Sequence, residues 1–285
     1  MASDKNDGNG DDEIWLYDPS KAAAILFAIL YGITTLFHII QMFLMRKWYC
    51  WALIMGGIWE TVGYALRILS VENPHSDGYY SPMLTLIILA PAWIAAFDYM
   101  TLGRLINTFL PSKSALGLPA RRITLIFVLF DIFSFVVQGS GSGFLSSSSG
   151  NSFQIGSYIL ISGLALQVAA FAFFTITAIR FDIKYKREFG LDGRERYVAL
   201  LYCLYVSCLC ILIRSLFRIA EFAEHYPGTL SKHEVYFYVL EAVPMLPTLV
   251  IFNFWHPGTV LVGEGSSFRE EKRNNTVAAA DDADI

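Results

Sequence analysis

Nine charged side chains stand inside stretches that are otherwise apolar, and their chemistry suits the binding of a polar head group. Four are basic and five are acidic: Arg67, Arg104, Arg214, Arg218, Glu60, Asp98, Asp131, Glu221 and Glu241. An unpaired charge costs about 2.5–3.5 kcal/mol near the bilayer centre on insertion scales. Guanidinium groups bind phosphates, and carboxylates bind ammonium groups. The near balance of signs predicts mutual neutralisation, either as a clamp that only fixes packing or as the wall of a site.

Helical spacing places these residues on shared faces. Residues seven apart differ by about 20° around a helix axis. The faces predicted in this way are Glu60, Tyr64 and Arg67; Asp131 and Gln138; Arg214, Arg218 and Glu221; and Glu234, Tyr238 and Glu241. Polar side chains on one face of an apolar helix are expected to point into the bundle rather than into lipid.

Glycines and prolines near these faces predict close packing or a broken helix. The segment VQGSGSGF (137–144) contains Gly139, Gly141 and Gly143, where a neighbouring backbone or a ligand can approach. Pro244 and Pro247 are expected to kink or break their helix near its middle, which frees backbone carbonyls. Both features also occur in helices that only pack.

The elements that carry these residues are long and apolar. The chain is 55% hydrophobic and only 16% charged, whereas an ordinary soluble domain has about 25% charged residues. A transmembrane helix needs roughly 20 apolar residues, and seven segments qualify: 22–45, 48–70, 82–110, 123–145, 153–179, 197–222 and 235–255. We therefore predict an all-α, polytopic membrane protein with one seven-helix domain over 22–255. An acidic extracellular tail (1–21) and a disordered cytosolic tail (256–285) are expected to flank it.

Lysine and arginine outside the spans predict the orientation through the positive-inside rule. Fourteen lie after spans one, three and five and in the C-terminal tail, against three (Lys5, Lys21 and Lys232) on the opposite side. This distribution predicts an outside N-terminus and a cytosolic C-terminus. The outer half of the bundle then contains one set of polar residues: Arg67, Gln138, Arg214, Arg218, Glu221 and Glu241. We expect them to line a polar cavity that opens outward.

Signatures of other functional classes are missing from the sequence. No G-x-x-x-x-G-K-[ST] motif is present, the four cysteines lie in apolar spans without a C-x-x-C pair, and the five histidines are scattered. Span seven has no lysine for a retinal Schiff base. The net charge of −4 is too mild to favour nucleic-acid binding. We expect no enzyme activity, no cofactor, no metal and no nucleic-acid partner.

Several longer stretches resemble the fungal lipid-translocating exporter family, which includes aminocholesterol-resistance proteins and a sphingoid long-chain-base exporter. The resemblance rests on WETVGYALR (59–67), LAPAWIAAFDYMTLGR (89–104), FDIFSFVVQGSGSG (130–143), GLALQVAAF (163–171), IRSLFRIAEF (213–222) and HEVYFYVLEAVPM with FNFWHPG (233–258). It covers most of the chain outside the tails. It implies seven spans, an outside N-terminus and a role in moving or sensing amphipathic lipids.

The resemblance also marks individual positions. These are Glu60, Gly63, Tyr64, Arg67, Gln138, Gly141, Gln167, Arg214, Arg218, Glu221, Tyr238, Pro244, Met245, His256 and Pro257. Glu241 departs from the expected pattern, where an aspartate would stand, and Asp98 is an acid where relatives tend to be uncharged. From these positions and the shared depth, we predict one substrate site: Glu60, Tyr64, Arg67, Gln138, Arg214, Arg218, Glu221, Tyr238 and Glu241.

Two functional classes stay open at this stage. The first is a plasma-membrane transporter of sphingoid bases or similar amphiphiles that confers resistance to toxic lipids or drugs. Without a nucleotide motif it would use an ion gradient or move lipid downhill, and Asp98 and Asp131, like Glu60, are candidate proton sites. The second is a seven-span sensor whose cytosolic segment 180–196 contacts a partner. That segment equally fits a topogenic stretch that binds anionic lipid. No oligomeric state is predicted.

Overall fold

Seven membrane-length helices make up the bundle. The computed structural model describes residues 15, 17–115, 117–145, 150–190, 193–224 and 228–261. Within these ranges, seven helices are long and apolar enough to cross a membrane, which confirms the predicted all-α, seven-span fold. The predicted tails lie outside the described residues up to residue 14 and beyond residue 261.

The first five spans are continuous helices. Their bounds are α1 Lys21–Met45, α2 Trp51–Glu72, α3 Asp77–Phe109, α4 Ala120–Leu145 and α5 Gly150–Phe189. A 3-10 turn at Trp48–Cys50 precedes α2, and a small antiparallel hairpin, β1 Ser114–Ala115 and β2 Leu118–Pro119, links α3 to α4. Ser20 caps the first turn of α1 by accepting from the Ala23 amide at 3.4 Å, and Arg46 ends that helix in the left-handed conformation with φ 53°.

Helix α5 extends well past the predicted end of its span at residue 179. It has 40 residues, which corresponds to about 60 Å at 1.5 Å per residue, whereas the hydrocarbon core is about 30 Å thick. Its last turns carry charged residues and so continue as a helix in water. Asp182 holds this end in place, with Lys186 Nζ at 2.6 Å and Arg194 Nε at 3.2 Å from its carboxylate.

The seventh span is interrupted, unlike the sixth, which is the single helix α6 Glu195–Ala223. After the short helix α7 Thr229–Lys232, it is built from α8 Glu234–Phe237, a π-helical turn Tyr238–Ala242, α9 Val243–Phe254 and α10 Pro257–Val260. The Val243 amide donates to the Tyr238 carbonyl, which is the spacing of a π turn. Pro244 follows immediately and has no amide hydrogen to restore the α-helical pattern. The break expected from the prolines therefore lies on the N-terminal side of Pro244.

Glycines set the distance between α2 and α3. A Cβ added at Gly63 would lie 2.6 Å from Cγ1 of Ile87, and one at Gly56 would lie 2.7 Å from Cγ1 of Ile94. Since real Cβ atoms do not approach so closely, these two positions permit the tight antiparallel packing of the two helices. Gly141 has the same role between α4 and α5, where a Cβ would lie 2.9 Å from the Gly156 carbonyl oxygen.

A row of polar contacts, the α1–span seven seam, closes the bundle into a ring. Three side chains of α1, and Lys47 two residues after its end, donate to backbone carbonyls in or next to the last span. The pairs are Tyr31 to Ala242 (2.7 Å), His38 to Leu249 (2.9 Å), Gln41 to Asn253 (2.8 Å) and Lys47 to Leu261 (2.6 Å). The residue numbers of the donors and of their acceptors increase together, so the two spans run parallel. The seam joins the two ends of the helix sequence and fixes the position of span seven beside α1.

Candidate functional site

Glu241 lies at the centre of a buried cluster of opposite charges. Its carboxylate is 3.0 Å from Arg214 Nη2 and 2.5 Å from Arg218 Nη2. Arg218 Nη1 donates to Glu221 at 2.8 Å. Arg214, Arg218 and Glu241 are only 3%, 6% and 1% exposed, so each charge depends on its partners for solvation. The structure therefore brings together the residues of α6 and span seven that spacing had assigned to one site.

Arg214 has a second set of partners on α3. Its Nη2 donates to the carbonyl oxygens of Ile87 at 3.1 Å and Ile88 at 3.4 Å. The Ile87 carbonyl would ordinarily accept from the residue four positions later, which is Pro91 and has no amide hydrogen. Arg214 thus satisfies an acceptor that the proline leaves open, and it ties α3, α6 and span seven together.

Arg67 forms a second cluster nearer the end where α1 begins. Its Nε donates to the Tyr238 hydroxyl at 3.0 Å, and its Nη2 donates to the Tyr17 hydroxyl at 3.0 Å and to Glu234 at 2.9 Å. The Trp15 ring lies 4.7 Å from its guanidinium carbon, which gives a cation–π contact. Burial raises the pKa of the Tyr17 hydroxyl above its usual value, although the neighbouring Arg67 acts in the opposite direction.

The π turn separates these two clusters. In a regular α-helix, Glu234 and Glu241 would share a face because they are seven residues apart. The extra residue of the π turn at Tyr238–Ala242 rotates the two ends of the span relative to each other. Glu234 consequently binds Arg67 of α2, whereas Glu241 binds the arginines of α6.

A small cavity lies between the two clusters. It has a volume of about 60 Å³, far below the roughly 300–1,000 Å³ of pockets that enclose drug-sized ligands. Arg67, Arg218 and Glu221 supply its charged lining, and Trp15 and Tyr17 are among its aromatic residues. Of the six residues expected to line a polar cavity, Arg67, Arg218 and Glu221 line this one. It has room for a few waters or a small head group but not for a whole lipid.

Glu60 and Tyr64 do not line this cavity. Glu60 is 1% exposed, lies within electrostatic range of Arg214, Arg218 and Glu241, and its Oε1 has no hydrogen-bond partner within the described ranges. Tyr64 stacks on Tyr31 with ring centroids 5.4 Å apart. Both residues belong to the buried surroundings of the charge cluster.

Three predicted residues lie elsewhere. Gln138 donates to Gln167 at 3.4 Å between α4 and α5, and α4 packs on α3 and α5. Gln138 therefore does not join the arginine cluster, although its depth is similar. Asp98 accepts from Ser207 at 2.6 Å between α3 and α6, and Asp131 lines a separate groove against α2 and α3. Position along the sequence could not show on which side of the bundle these residues lie.

Several contacts of the site could not be predicted from spacing. Trp15, Tyr17 and Glu234 contact Arg67 or line the cavity, yet none was assigned to the site. The available signal was the pair of aromatic residues immediately before an apolar span, which is typical of a membrane–water interface. Among the residues that the structure describes, no group of three His, Cys, Asp or Glu could hold a metal ion.

The sequence profile of the family described as "RTA1 like protein" matches residues 53–264. The chain belongs to this family. The match extends from span two to span seven and includes every charged residue of the two clusters, whereas Trp15 and Tyr17 lie before it.

Three relatives of this RTA1-like chain have names that describe transport or uptake. It is 36% identical over 277 residues to "Probable lipid transporter atnI" of Emericella nidulans, covering 93% of this chain and 72% of the relative. It is 33% identical to "Protoporphyrin uptake protein 1" of Saccharomyces cerevisiae (84% and 90% covered). It is 28% identical to "Sphingoid long-chain base transporter RSB1" of the same species (87% and 74% covered). No solved structure matches the chain.

Proposed function

We propose that this chain translocates amphipathic lipids, with one long apolar chain and a small polar head, from one side of the membrane to the other. The observation that carries the proposal is the cavity lined by Arg67, Arg218 and Glu221 near one end of a seven-span bundle. The similarity to a named lipid transporter and a named sphingoid-base transporter supports the substrate class.

The cavity suits a head group of either charge. Its two arginines can bind a phosphate, and Glu221 can bind an ammonium group. At about 60 Å³, it represents a closed state, in which Trp15 and Tyr17 cover the arginines. Displacement of these two aromatic residues would open the site, so Trp15 and Tyr17 are the proposed cover of the head-group site.

The orientation and location belong to the same proposal. The excess of lysine and arginine on one side supports an N-terminus outside and a C-terminus in the cytosol. The cavity then faces outward, where a lipid exported from the inner leaflet would be released. A plasma-membrane location and resistance to toxic lipids or drugs would follow from such export.

Energy would come from an ion gradient or from the lipid gradient itself, since the sequence has no phosphate-binding loop motif and no enzyme activity is proposed. Asp98 is 1% exposed between α3 and α6 and is bonded to Ser207, which makes it the leading proton-coupling candidate. Asp131 is the second candidate. The two acids differ in their surroundings: Asp98 is buried inside the helix bundle, whereas Asp131 lines a groove.

A second candidate function is a lipid sensor that signals through segment 180–196. The observation that favours it is the extension of α5 beyond the membrane, ordered by the bonds of Asp182 to Lys186, Arg194 and Tyr197. Such a rigid projection can present charges to a cytosolic partner. It would transmit occupancy of the lipid site without moving lipid.

Flux measurements in proteoliposomes separate the two functions. Purified protein is reconstituted with a fluorescent long-chain base in one leaflet, and its appearance in the other leaflet is followed. Wild-type protein should accelerate this transfer over protein-free vesicles, and Arg218→Gln should abolish the acceleration. Arg104→Gln is the matched control, because Arg104 lies away from the cavity beside the Tyr49 ring at 3.8 Å. Saturable binding of the base without any flux by wild type would favour the sensor.

A further inference from the structure

A groove on the lipid-facing side of the bundle is separate from the arginine cavity. It has a volume of about 230 Å³ and lies against α3, with α2 and α4 on either side. Its lining includes Trp59, Trp93, Ile132 and Phe135. Ile132 is 54% exposed, so the groove opens toward the acyl chains of the bilayer rather than toward water.

Asp131 is the charged residue of this groove, and none of the basic side chains that the structure describes pairs with it. Its side chain lines the groove and the residue is 5% exposed. The Tyr99 hydroxyl is the neighbouring donor to its carboxylate, and within the described part of the chain no hydrogen bond of full geometry reaches either carboxylate oxygen. A carboxylate in such surroundings is costly unless a cation or a donor joins it. An acid beside an open groove, with a tyrosine hydroxyl but no basic side chain against it, therefore points to a cationic ligand.

The position of Asp131 along α4 places this acid near the middle of the bilayer. It lies about 17 Å along the axis from Ala120, at 1.5 Å per residue, in a helix that runs from Ala120 to Leu145. Water-soluble ligands do not reach this depth from the side, whereas membrane lipids do. The head group of a lipid that crosses between leaflets must pass this level.

The aromatic walls favour a compact cation. Trp59 and Trp93 line the groove and meet edge to face with ring centroids 5.6 Å apart, and the Trp51 ring lies 5.3 Å from Trp93. Indole faces attract ammonium groups through their quadrupole. The groove lining contains no arginine or lysine, so it has no counter-charge for a phosphate. An amine fits both the acid and the rings.

We propose that this groove receives the protonated amine of a single-chain lipid midway across the bilayer, with Asp131 as its counter-ion, the tryptophans against its head and its chain left in the surrounding lipid. The inference rests on the proposed lipid translocation and narrows its substrates to long-chain amines. The arginine cavity would then bind the head group at the membrane surface, and the groove would bind it at the midplane.

Tryptophan quenching by a brominated lipid tests this site directly. Wild-type protein in nanodiscs is titrated with a long-chain amine brominated near its head, and separately with the matching brominated alcohol. The amine should quench at about tenfold lower concentration than the alcohol, because a hydrogen bond to a charged group is worth that much. Asp131→Asn should remove the difference, and Asp131→Glu should keep most of it. Ser134→Ala, one turn further on the same helix, is the matched control and should behave as wild type.

The outcomes are decisive in both directions. Equal quenching by amine and alcohol in wild type, or an unchanged difference in Asp131→Asn, would overturn the site. Should Asp131→Asn fail to elute as a folded protein, a photoactivatable long-chain amine decides the question in wild type by labelling peptides that contain Trp59 or Phe135, and labelling elsewhere overturns it. Amine binding in the groove without any lipid flux would overturn the proposed function but support the site. Lipid flux without a preference for the amine would overturn the site but support the proposed function.

Discussion

Arg214 and Arg218 share the carboxylate of Glu241 but differ in their surroundings. Arg214 also binds carbonyls of α3 and does not line the cavity, whereas Arg218 lines it together with Glu221. A residue with only protein partners is expected to stabilise the fold. A residue that also faces a cavity is expected to contact a ligand. The two arginines therefore allow packing and binding roles to be separated within one cluster.

Replacement of Arg214 by methionine should mainly reduce stability. The change leaves the Ile87 carbonyl and part of the Glu241 charge unsatisfied in the interior, and breaking a buried ion pair costs about 3–5 kcal/mol. Size-exclusion chromatography of a fluorescent fusion should show a large loss of monodisperse protein, and thermal unfolding should shift to lower temperature. Full recovery of folded Arg214→Met would contradict the structural role.

Replacement of Arg218 by glutamine should mainly reduce transport. Glu241 keeps Arg214 at 3.0 Å, and cavity water can solvate Glu221, so the fold should persist. Lipid flux should fall by about tenfold or more, since a charge-assisted contact to the head group is lost. Normal membrane levels with normal flux in both Arg218→Gln and Glu221→Gln would show that the cavity is not the lipid site.

At the residue scale, the identity of the polar residues was predictable and their partners were only partly so. Helical spacing united Arg214, Arg218 and Glu221 because α6 is regular. It could not unite Arg214 with Ile87, since that contact depends on a carbonyl left free by Pro91 in another helix. It also could not foresee that Tyr17, before the first span, would reach Arg67.

At the element scale, the π turn in span seven sets which acid meets which arginine. Deletion of Val239, which is 51% exposed, should convert the turn to regular α-helix and rotate α8 relative to α9. The Arg67–Glu234 pair would then be lost, at a cost of about 3–5 kcal/mol for a buried pair. Val239→Ala is the control that keeps the register. Equal thermal stability of the deletion and the control would show that the turn is not needed.

The glycine contact between α2 and α3 gives a second test at this scale. Gly63→Ala places a Cβ 2.6 Å from Cγ1 of Ile87, so the Ile87 side chain or the helices must shift, and overpacking of this kind costs about 1–3 kcal/mol. Gly139→Ala is the matched control, because no atom lies within 4 Å of its added Cβ. Melting temperatures of the two variants should differ clearly, with the control at or above wild type. A Gly63→Ala variant as stable as the control would exclude tight packing there.

Helix number and position followed from the apolar segments, whereas helix ends and irregularities did not. The length of an apolar segment predicts the part of a helix that lies in the membrane, not the ends of the helix. Helix α5 continues with charged residues beyond residue 179, and α3 begins at Asp77, before the predicted residue 82. Hydropathy does not register either extension because both leave the apolar region. The π turn depends on the neighbours of span seven, and its sequence signal was limited to the prolines.

At the scale of the whole molecule, the uneven distribution of basic residues leads to an orientation that can be measured. An epitope tag at the N-terminus should be reached by antibody on intact cells, and a C-terminal tag should require permeabilised cells. The reason is the fourteen-to-three excess of lysine and arginine on the predicted cytosolic side. An N-terminal tag detected only after permeabilisation would reverse the orientation and with it the outward direction of the cavity.

The α1–span seven seam has a consequence for how this protein can change during evolution. Its donors are side chains of Tyr31, His38, Gln41 and Lys47, while its acceptors are all backbone carbonyls. Mutation at Ala242 or Leu249 alters size but never removes the acceptor, whereas mutation at Tyr31 or His38 deletes the donor. For these four bonds, substitution can remove the donor only on the α1 side, whereas the acceptor on span seven persists. One bond runs the other way, since the side-chain amide of Asn253 donates to the Thr34 carbonyl at 3.5 Å. Most of the sequence information that closes the ring therefore lies in α1 and directly after it.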